Sequence, residues 1–197
     1  MTAEPRLGLR ERNRARTYAE IAEAALDLFE RQGFDATTVD QISAAAAVSP
    51  ATFFRYFSAK EDVLFADEDA SANALVERVA ARTDRSTSSV AALEEPVVAF
   101  AEAMLGPQTP NSRRLTKLVM TTPSLAPRSL RMRLHWERDV AAQLAAEAGL
   151  ATPGLLHTVV ASVAVSCLTS GLRFWPNTSS PHALGSLVRE AFDHATH

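Results

Sequence analysis

The stretch TTVDQISAAAAVSPATFFRYF, residues 37–57, contains two short helical patterns separated by a tight break. Thr38 and Gln41 match a capping box, in which each side chain bonds a backbone N–H group at a helix start. Ser49 followed by Pro50 is typical of a second start, because the first residue of a helix needs no N–H donor. The spacing therefore predicts two short helices in quick succession.

A longer helical pattern precedes this stretch and is predicted to run from about 17 to 32. Gly33 ends it, because glycine takes the left-handed conformation after a helix at low cost. Its apolar residues recur every three or four positions, as on the buried face of an amphipathic helix: Ile21, Ala25, Leu28 and Phe29. Three helices with a tight break between the second and third have the layout of a helix-turn-helix motif, here placed at about 38–57.

The third helix combines an apolar inner face with a polar outer surface. Phe53 and Phe57 lie four residues apart and can anchor one face in a core, while the N-terminal residues stay available to a DNA major groove. Arg55 can donate two hydrogen bonds to a guanine edge, and Lys60 can bind a phosphate at the start of a fourth helix. The predicted DNA-contacting residues are Arg14, Thr38, Ser49, Pro50, Ala51, Thr52, Arg55, Tyr56 and Lys60.

The charge distribution agrees with DNA binding only near the N-terminus. The whole chain has a net charge of -3, whereas nucleic-acid-binding domains are usually basic. Residues 1–16 hold five arginines against two glutamates, and beyond residue 60 there are 15 acidic and 12 basic residues. We therefore expect residues 1–13 to form a flexible basic arm that contacts phosphates or the minor groove.

Proline and glycine divide the rest of the chain into further helical segments. A fourth helix is predicted from about 58 to 79, followed by a polar linker at 83–89. Later helices are predicted at about 90–105, 112–122, 124–148, 155–175 and 181–195. The fold class is therefore all-α, with a three-helix, helix-turn-helix DNA-binding domain at 14–74 and a second helical domain at 75–197.

Residues 155–172 are strongly apolar and contain no Asp, Glu, Lys or Arg. Their six histidine, serine and threonine residues and their marginal length favour a buried helix over a membrane span. A monomer would expose a large apolar patch there, so we expect a homodimer through the last two helices. The lone Cys167 allows no internal disulfide and the N-terminus has no signal-peptide pattern, so a cytoplasmic location is predicted.

The second domain offers candidate ligand-binding residues but no catalytic constellation. We find no nucleophile paired with a base, no glycine-rich phosphate loop and no metal-ligand spacing, so we predict no enzyme, cofactor or metal site. The candidates for an apolar ligand pocket are Phe100, Met104, Met120, Arg131, His135, Trp136 and Cys167. For any single one of them, plain core packing is an equal alternative. Arg128, Arg131 and Arg133 could attract an anionic end, although a solvated helix face is the favoured explanation for them.

Residues 21–64, IAEAALDLFERQGFDATTVDQISAAAAVSPATFFRYFSAKEDVL, closely resemble the N-terminal domain of the TetR family of bacterial repressors. The resemblance extends over about 14–73 and includes the VSxxTFxRYF recognition helix. Two positions depart from the family pattern: Ala47 stands where the turn usually has glycine, and Phe54 stands where tyrosine is frequent. If Ala47 needs a positive φ, alanine costs about 1 kcal/mol there, and Phe54 exchanges a phosphate hydrogen bond for apolar contact.

The rest of the chain resembles the family less specifically. Trp136-Glu137, the RFW at 173–175 and the LVREAF at 187–192 resemble a branch that includes a mycofactocin-associated regulator, whose members respond to acyl-coenzyme A thioesters. The resemblance implies that the last two long helices form a four-helix dimer interface and that the middle helices enclose an inducer cavity. It makes the domain at 75–197 a ligand-sensing and dimerisation domain.

The residues and the resemblance together predict a ligand-responsive transcriptional repressor. It would bind double-stranded operator DNA as a dimer and be released by a small apolar or amphipathic inducer, acyl-CoA-like by resemblance. The alternative is an all-α ligand-binding protein or enzyme without DNA binding, and a band shift with the chain's own promoter DNA separates the two.

Overall fold

A computed structural model of the chain describes residues 8–66, 68–85, 87–105, 109–178 and 183–196. Within these ranges every regular element is a helix, which confirms the all-α prediction. The α-helices are α1 (Leu9–Gln32), α2 (Val39–Ala45), α3 (Pro50–Tyr56), α4 (Glu68–Ala81), α5 (Glu94–Leu105), α6 (Thr109–Thr121), α7 (Ala126–Glu147), α8 (Leu155–Phe174) and α9 (Ala183–Thr196). Short 3₁₀ helices lie at Lys60–Val63, Ala91–Leu93, Pro123–Leu125 and Trp175–Asn177.

The chain divides into two compact units, one up to residue 66 and the other from residue 67 onward. In the first unit, α2 packs against both α1 and α3. In the second, α4 packs against α5 and α7. The boundary that we predicted after residue 74 falls inside α4, whereas the structure assigns this helix as a whole to the second unit.

The segment after α3 differs from the single long helix predicted there. Lys60–Val63 forms a 3₁₀ turn, and α4 begins only at Glu68. Val63, Leu64 and Phe65 are all buried. The helical path is interrupted at the point where these three consecutive side chains are buried.

α1 starts earlier than predicted. It begins at Leu9 rather than at about 17, and in its first turn Glu11 accepts a hydrogen bond from the Gly8 N–H at 3.0 Å. Residues 9–13, which we expected in a flexible arm, are therefore helical, while residues 1–7 lie outside the described ranges. Arginine, leucine and glutamate are strong helix formers, which explains the extension.

α8 is the central helix of the second unit. It packs against α5, α6, α7 and α9 and buries nine residues. By length and composition Leu155–Asn177 could cross a membrane, yet half of its apolar window is buried inside the unit. The packing is close at Gly171, where an added Cβ would lie 2.7 Å from Val188 Cγ2 of α9. These contacts favour a core helix, as the polar load of the segment predicted.

A buried ion pair ties the end of α4 to the end of α7. Arg82 donates to both carboxylate oxygens of Glu147, at 2.6 and 3.1 Å, and to the Val79 carbonyl at 2.7 Å. Gln143 adds a hydrogen bond of 2.8 Å to the same carboxylate. Both charged side chains are more than nine-tenths buried, so neither can exchange its partner for water.

Arg82→Met is expected to lower the free energy of unfolding by about 3–5 kcal/mol, because it leaves the Glu147 carboxylate buried without its cation. The double variant Arg82→Met/Glu147→Leu should regain most of this loss. Arg128→Met is the matched control, since its pair with Glu68, at 3.6 Å, is partly exposed and contributes about 1 kcal/mol or less. Urea denaturation measures the free energy of unfolding of all three variants. Equal decreases in the two single variants would contradict the special contribution of the buried Arg82–Glu147 pair.

Candidate nucleic-acid interface

Local hydrogen bonds hold the starts of the two short helices. Thr38 Oγ1 accepts from the Gln41 N–H at 3.2 Å, and Gln41 Oε1 accepts from the Thr38 N–H at 2.9 Å, which completes the capping box of α2. Ser49 Oγ accepts from the Thr52 N–H at 3.1 Å and caps α3, which has Pro50 in its first turn. Both helix starts predicted from the sequence are confirmed.

Aromatic side chains anchor the inner face of α3. Phe53 is fully buried, and Phe57, directly after the helix, is nearly so. Their ring centroids lie 5.5 Å apart, and the ring of Tyr18 from α1 lies 4.9 Å from that of Phe57. These contacts fix the rotation of α3 about its axis, and with it the side chains that face outward.

The outer face of α3 is open to solvent. The guanidinium of Arg55 lies 5.3 Å from the ring centroid of Tyr56, and the hydroxyl oxygens of Ser49 and Thr52 are 2.9 Å apart. Of the predicted DNA-contacting residues, the exposed ones are Arg14, Thr38, Ser49, Pro50, Ala51 and Arg55, and the half-buried ones are Thr52, Tyr56 and Lys60. The structure gathers six of these nine residues on α3 and its cap.

Phe54 is a surface residue that we did not include in the predicted set. It is 55% exposed on the outer side of α3, with its ring edge-on to Phe53 at 5.5 Å between centroids. Its ring adds an apolar side chain to the otherwise polar outer side of α3. The sequence offered a local signal, because in a helix Phe54 is turned by about 100° from the buried Phe53.

Lys60 has a structural role that the sequence did not reveal. Its ammonium donates to the carbonyl oxygens of Phe34, Thr37 and Asp35, at 2.6, 2.8 and 3.3 Å. The nitrogen also lies 4.4 Å from the ring centroid of Phe34. Because an ammonium has three N–H donors, these carbonyls engage all of them. Lys60 therefore closes the loop between α1 and α2, and in this structure the ammonium that we predicted to bind a phosphate is engaged by these carbonyls.

The turn between α2 and α3 contains the strained residue that the sequence indicated. Ala47 has a φ of 53°, and within the described ranges no other non-glycine residue has a positive φ. Across the turn, the N–H of Val48 donates to the Ser43 carbonyl at 2.9 Å. Alanine in this left-handed conformation costs roughly 1 kcal/mol, because its Cβ approaches the following carbonyl oxygen.

Ala47→Gly is expected to raise the free energy of unfolding by roughly 0.5–1 kcal/mol, because glycine adopts this conformation without the steric cost. Ala46→Gly is the matched control. Ala46 has a φ of -83°, so glycine there only adds freedom to the unfolded chain and should lower stability. Urea unfolding compares the two variants, and a destabilised Ala47→Gly protein would show that the turn is not strained.

Five of the predicted ligand-pocket residues meet in the core of the second unit. Phe100 and Trp136 are buried with their rings edge-on, and the ring centroids lie 5.9 Å apart. Met104 and Met120 are partly buried and pack against the same core. Cys167 is buried there too, and burial raises the pKa of its thiol, which keeps the thiol protonated at neutral pH. All five residues therefore belong to the apolar core of the second unit.

The other two predicted pocket residues remain at the surface. Arg131 is exposed, and His135 Nε2 lies 2.9 Å from Asp139 Oδ2 on the same helix. Arg133, considered for an anionic ligand end, donates to Glu137 at 2.7 Å. Among the described residues, no cluster of three or more His, Cys, Asp and Glu could hold a metal ion.

Comparison with known proteins places both units in described families. Residues 21–66 match the model of the bacterial regulatory proteins, tetR family, and residues 87–196 match that of the MftR C-terminal domain. The HTH-type transcriptional regulator TcmR of Streptomyces glaucescens is 50% identical over 56 residues, which span 28% of this chain but only 25% of TcmR. MftR of Mycobacterium tuberculosis, named as a mycofactocin biosynthesis transcriptional regulator, is 28% identical over 98% of this chain and 94% of its own.

Solved structures share the fold. FadR from Thermus thermophilus, solved in complex with lauroyl-CoA, has a TM-score of 0.53 at 19% identity, over 89% of this chain and 91% of its own. FadR from Bacillus subtilis, solved in complex with stearoyl-CoA, has a TM-score of 0.57 at 18% identity, over 91% of this chain and 100% of its own. Because the two family matches span most of the chain, and the second alone spans more than half, the chain belongs to the tetR family of bacterial regulatory proteins.

Proposed function

We propose that the chain is a transcriptional repressor that binds operator DNA as a homodimer and releases it when a small apolar or amphipathic inducer binds the second unit. The observation that carries this proposal is α3, whose outer face is held open by two buried phenylalanines on its inner face. Family membership supports a role in transcription. A cytoplasmic location follows from that role, because the operator DNA of a bacterium lies in the cytoplasm.

The exposed side chains of α3 offer the two kinds of contact that sequence recognition needs. Arg55 can donate two hydrogen bonds to guanine in the major groove, while Ala51 and Phe54 present apolar surface to a thymine methyl group. The hydroxyl groups of Ser49 and Thr52 can bond phosphate oxygens and set the register of the helix on the duplex. Base reading and backbone positioning thus come from one short helix.

The N-terminal part of α1 adds basic side chains on one side of the first unit. In a helix, Arg10 and Arg14 lie about 40° apart, whereas Arg12 and Arg16 lie on the opposite side. Arg14 precedes Tyr18 by about one turn, and the Tyr18 ring contacts the aromatic residue that follows α3. Arg10 and Arg14 therefore continue the side of α1 that packs towards α3, and we infer that they bind phosphates.

Arg10→Ala/Arg14→Ala is expected to lower the slope of log affinity against log salt by about 2, because two phosphate contacts disappear. The DNA is the promoter region upstream of the chain's own gene, and fluorescence anisotropy over a salt series measures the slope. Arg12→Ala/Arg16→Ala removes the same charge and should leave the slope unchanged, since Arg16 lies 3.6 Å from Glu20 on the far side. An equal decrease of the slope in both double variants would contradict the placement of the phosphate contacts on one side of α1. A wild-type protein that binds none of this DNA would overturn the proposed function.

Exposed apolar side chains at the two ends of α8 support the homodimer. Leu155 is 82% exposed at one end of the helix and Phe174 is 66% exposed at the other, and Leu156 and Val159 are also open to solvent. α9 differs, because its exposed side chains are mostly polar: Ser186, Glu190, Asp193 and His194. A second copy of the chain would cover these apolar side chains, with α9 as a polar border.

Wild-type protein is expected to sediment as a dimer at micromolar concentration, whereas Leu155→Glu/Val159→Glu should sediment as a monomer. The reason is that the two carboxylates would have to be buried without partners in an apolar interface. Ala99→Glu, on an exposed side of α5, is the control that should remain dimeric. A monomeric wild type, or a dimer that tolerates both glutamates, would contradict the proposed interface.

The apolar core of the second unit supports an apolar or amphipathic inducer. Met104 and Met120 pack against this core, and methionine side chains adapt readily to irregular shapes. The two FadR proteins were solved with acyl-CoA molecules, which combine a long apolar chain with a charged headgroup. We therefore favour an acyl thioester as the inducer. It must prefer a dimer shape whose recognition helices do not fit successive major grooves.

A further inference from the structure

The indole nitrogen of Trp136 is a buried donor for which the described part of the chain supplies no acceptor. Trp136 is 1% exposed, and among the residues that the structure describes none accepts a hydrogen bond from its Nε1. An indole N–H can only donate, and a buried one ordinarily has a partner, because an unsatisfied donor in an apolar interior destabilises the protein. An acceptor that arrives from outside the chain would supply the missing bond.

Trp136 lies beside side chains that can make room for such a molecule. Its ring meets that of Phe100 from α5 edge-on, with 5.9 Å between the centroids. Met104 of α5 and Met120 of α6 pack against the same core and are only partly buried. Because methionine is unbranched and flexible, these side chains can adapt to the shape of a ligand.

The charges near Trp136 decide which acceptor fits. On α7, Arg133 is bonded to Glu137 at 2.7 Å and Arg131 is exposed at the surface. Arg128, farther towards the start of α7, lies 3.6 Å from a glutamate of α4. A buried carboxylate needs a cation beside it, and these three arginines are either paired or outside the core. The acceptor for the indole N–H is therefore a neutral oxygen.

We propose that Trp136 Nε1–H donates a hydrogen bond to the carbonyl oxygen of a neutral acyl group, an ester or thioester, whose hydrocarbon chain lies in the core of the second unit. The inference rests on the proposed function and adds the chemical group that the sensor distinguishes. A charged headgroup would stay at the surface, where Arg131 lies. A thioether of equal length would fill the same space but leave the donor unsatisfied, so the site selects the carbonyl compound.

Nuclear magnetic resonance of nitrogen-15-labelled indoles tests the bond directly, because the chain has two tryptophans. Trp175→Phe assigns the resonances, and Trp175 is a fair reference because its buried Nε1 also has no acceptor among the described residues. Lauroyl-CoA is expected to move the Trp136 indole proton downfield and leave that of Trp175 in place. S-dodecyl-CoA, the thioether with the same chain length and headgroup, should give no downfield shift.

Calorimetry adds a matched affinity test. Wild type should bind lauroyl-CoA about tenfold more tightly than S-dodecyl-CoA, the effect expected of one hydrogen bond, and Trp136→Phe should bind the two equally. Equal affinities in wild type would overturn the inference. So would an unmoved Trp136 resonance, or one already at its hydrogen-bonded position in the free protein because water is the acceptor.

Operator binding by wild type, measured in parallel, separates this inference from the proposed function. A protein that binds operator but neither acyl compound overturns the inference and leaves DNA regulation standing. A protein that binds lauroyl-CoA through Trp136 but no operator keeps the inference and overturns the repressor. Failure of both measurements rejects both proposals.

Discussion

The burial of Phe53 beneath α3 is the constraint on which the proposed DNA-facing surface depends. A helix of seven residues is not stable alone, so its orientation comes from packing. With Phe53 fully buried and Phe57 packed against Tyr18, α3 cannot rotate without pulling aromatic rings out of the core. Removing one such ring costs about 3–5 kcal/mol, more than the 1–3 kcal/mol or so that one base contact contributes. The outward orientation of Arg55 and Phe54 on α3 is thereby fixed in the free protein.

Much of the first unit could be predicted because its determinants are local in sequence. The caps of α2 and α3 each join residues three positions apart, and the positive φ at Ala47 follows from a turn of known shape. Lys60 could not be interpreted in this way. Its carbonyl partners lie 23–26 residues earlier in the chain, and no local pattern reveals a bond over that separation. Residues 63–65 were predicted to lie in a helix, because the local sequence does not show that all three side chains are buried.

The second unit was harder to predict because its candidate ligand-binding residues come together only where several helices meet. Residue type alone indicated Phe100, Met104, Met120 and Trp136, and the structure gathers them in one core. Residue type could not show which of their neighbours on α7 point inward, and in the structure Arg131 lies at the surface. The buried ion pair between α4 and α7 joins residues 65 positions apart and had no sequence signal. Such long-range contacts decide the geometry of a sensor more than its composition does.

The central claim is that inducer and operator stabilise different shapes of one dimer. Binding linkage requires that lauroyl-CoA weaken operator binding by the same factor by which operator weakens lauroyl-CoA binding. The most direct test is therefore a pair of titrations, operator with and without saturating lauroyl-CoA and lauroyl-CoA with and without saturating operator. We expect both affinities to fall, by equal factors. Tight binding of lauroyl-CoA that leaves the operator affinity unchanged would contradict the claim.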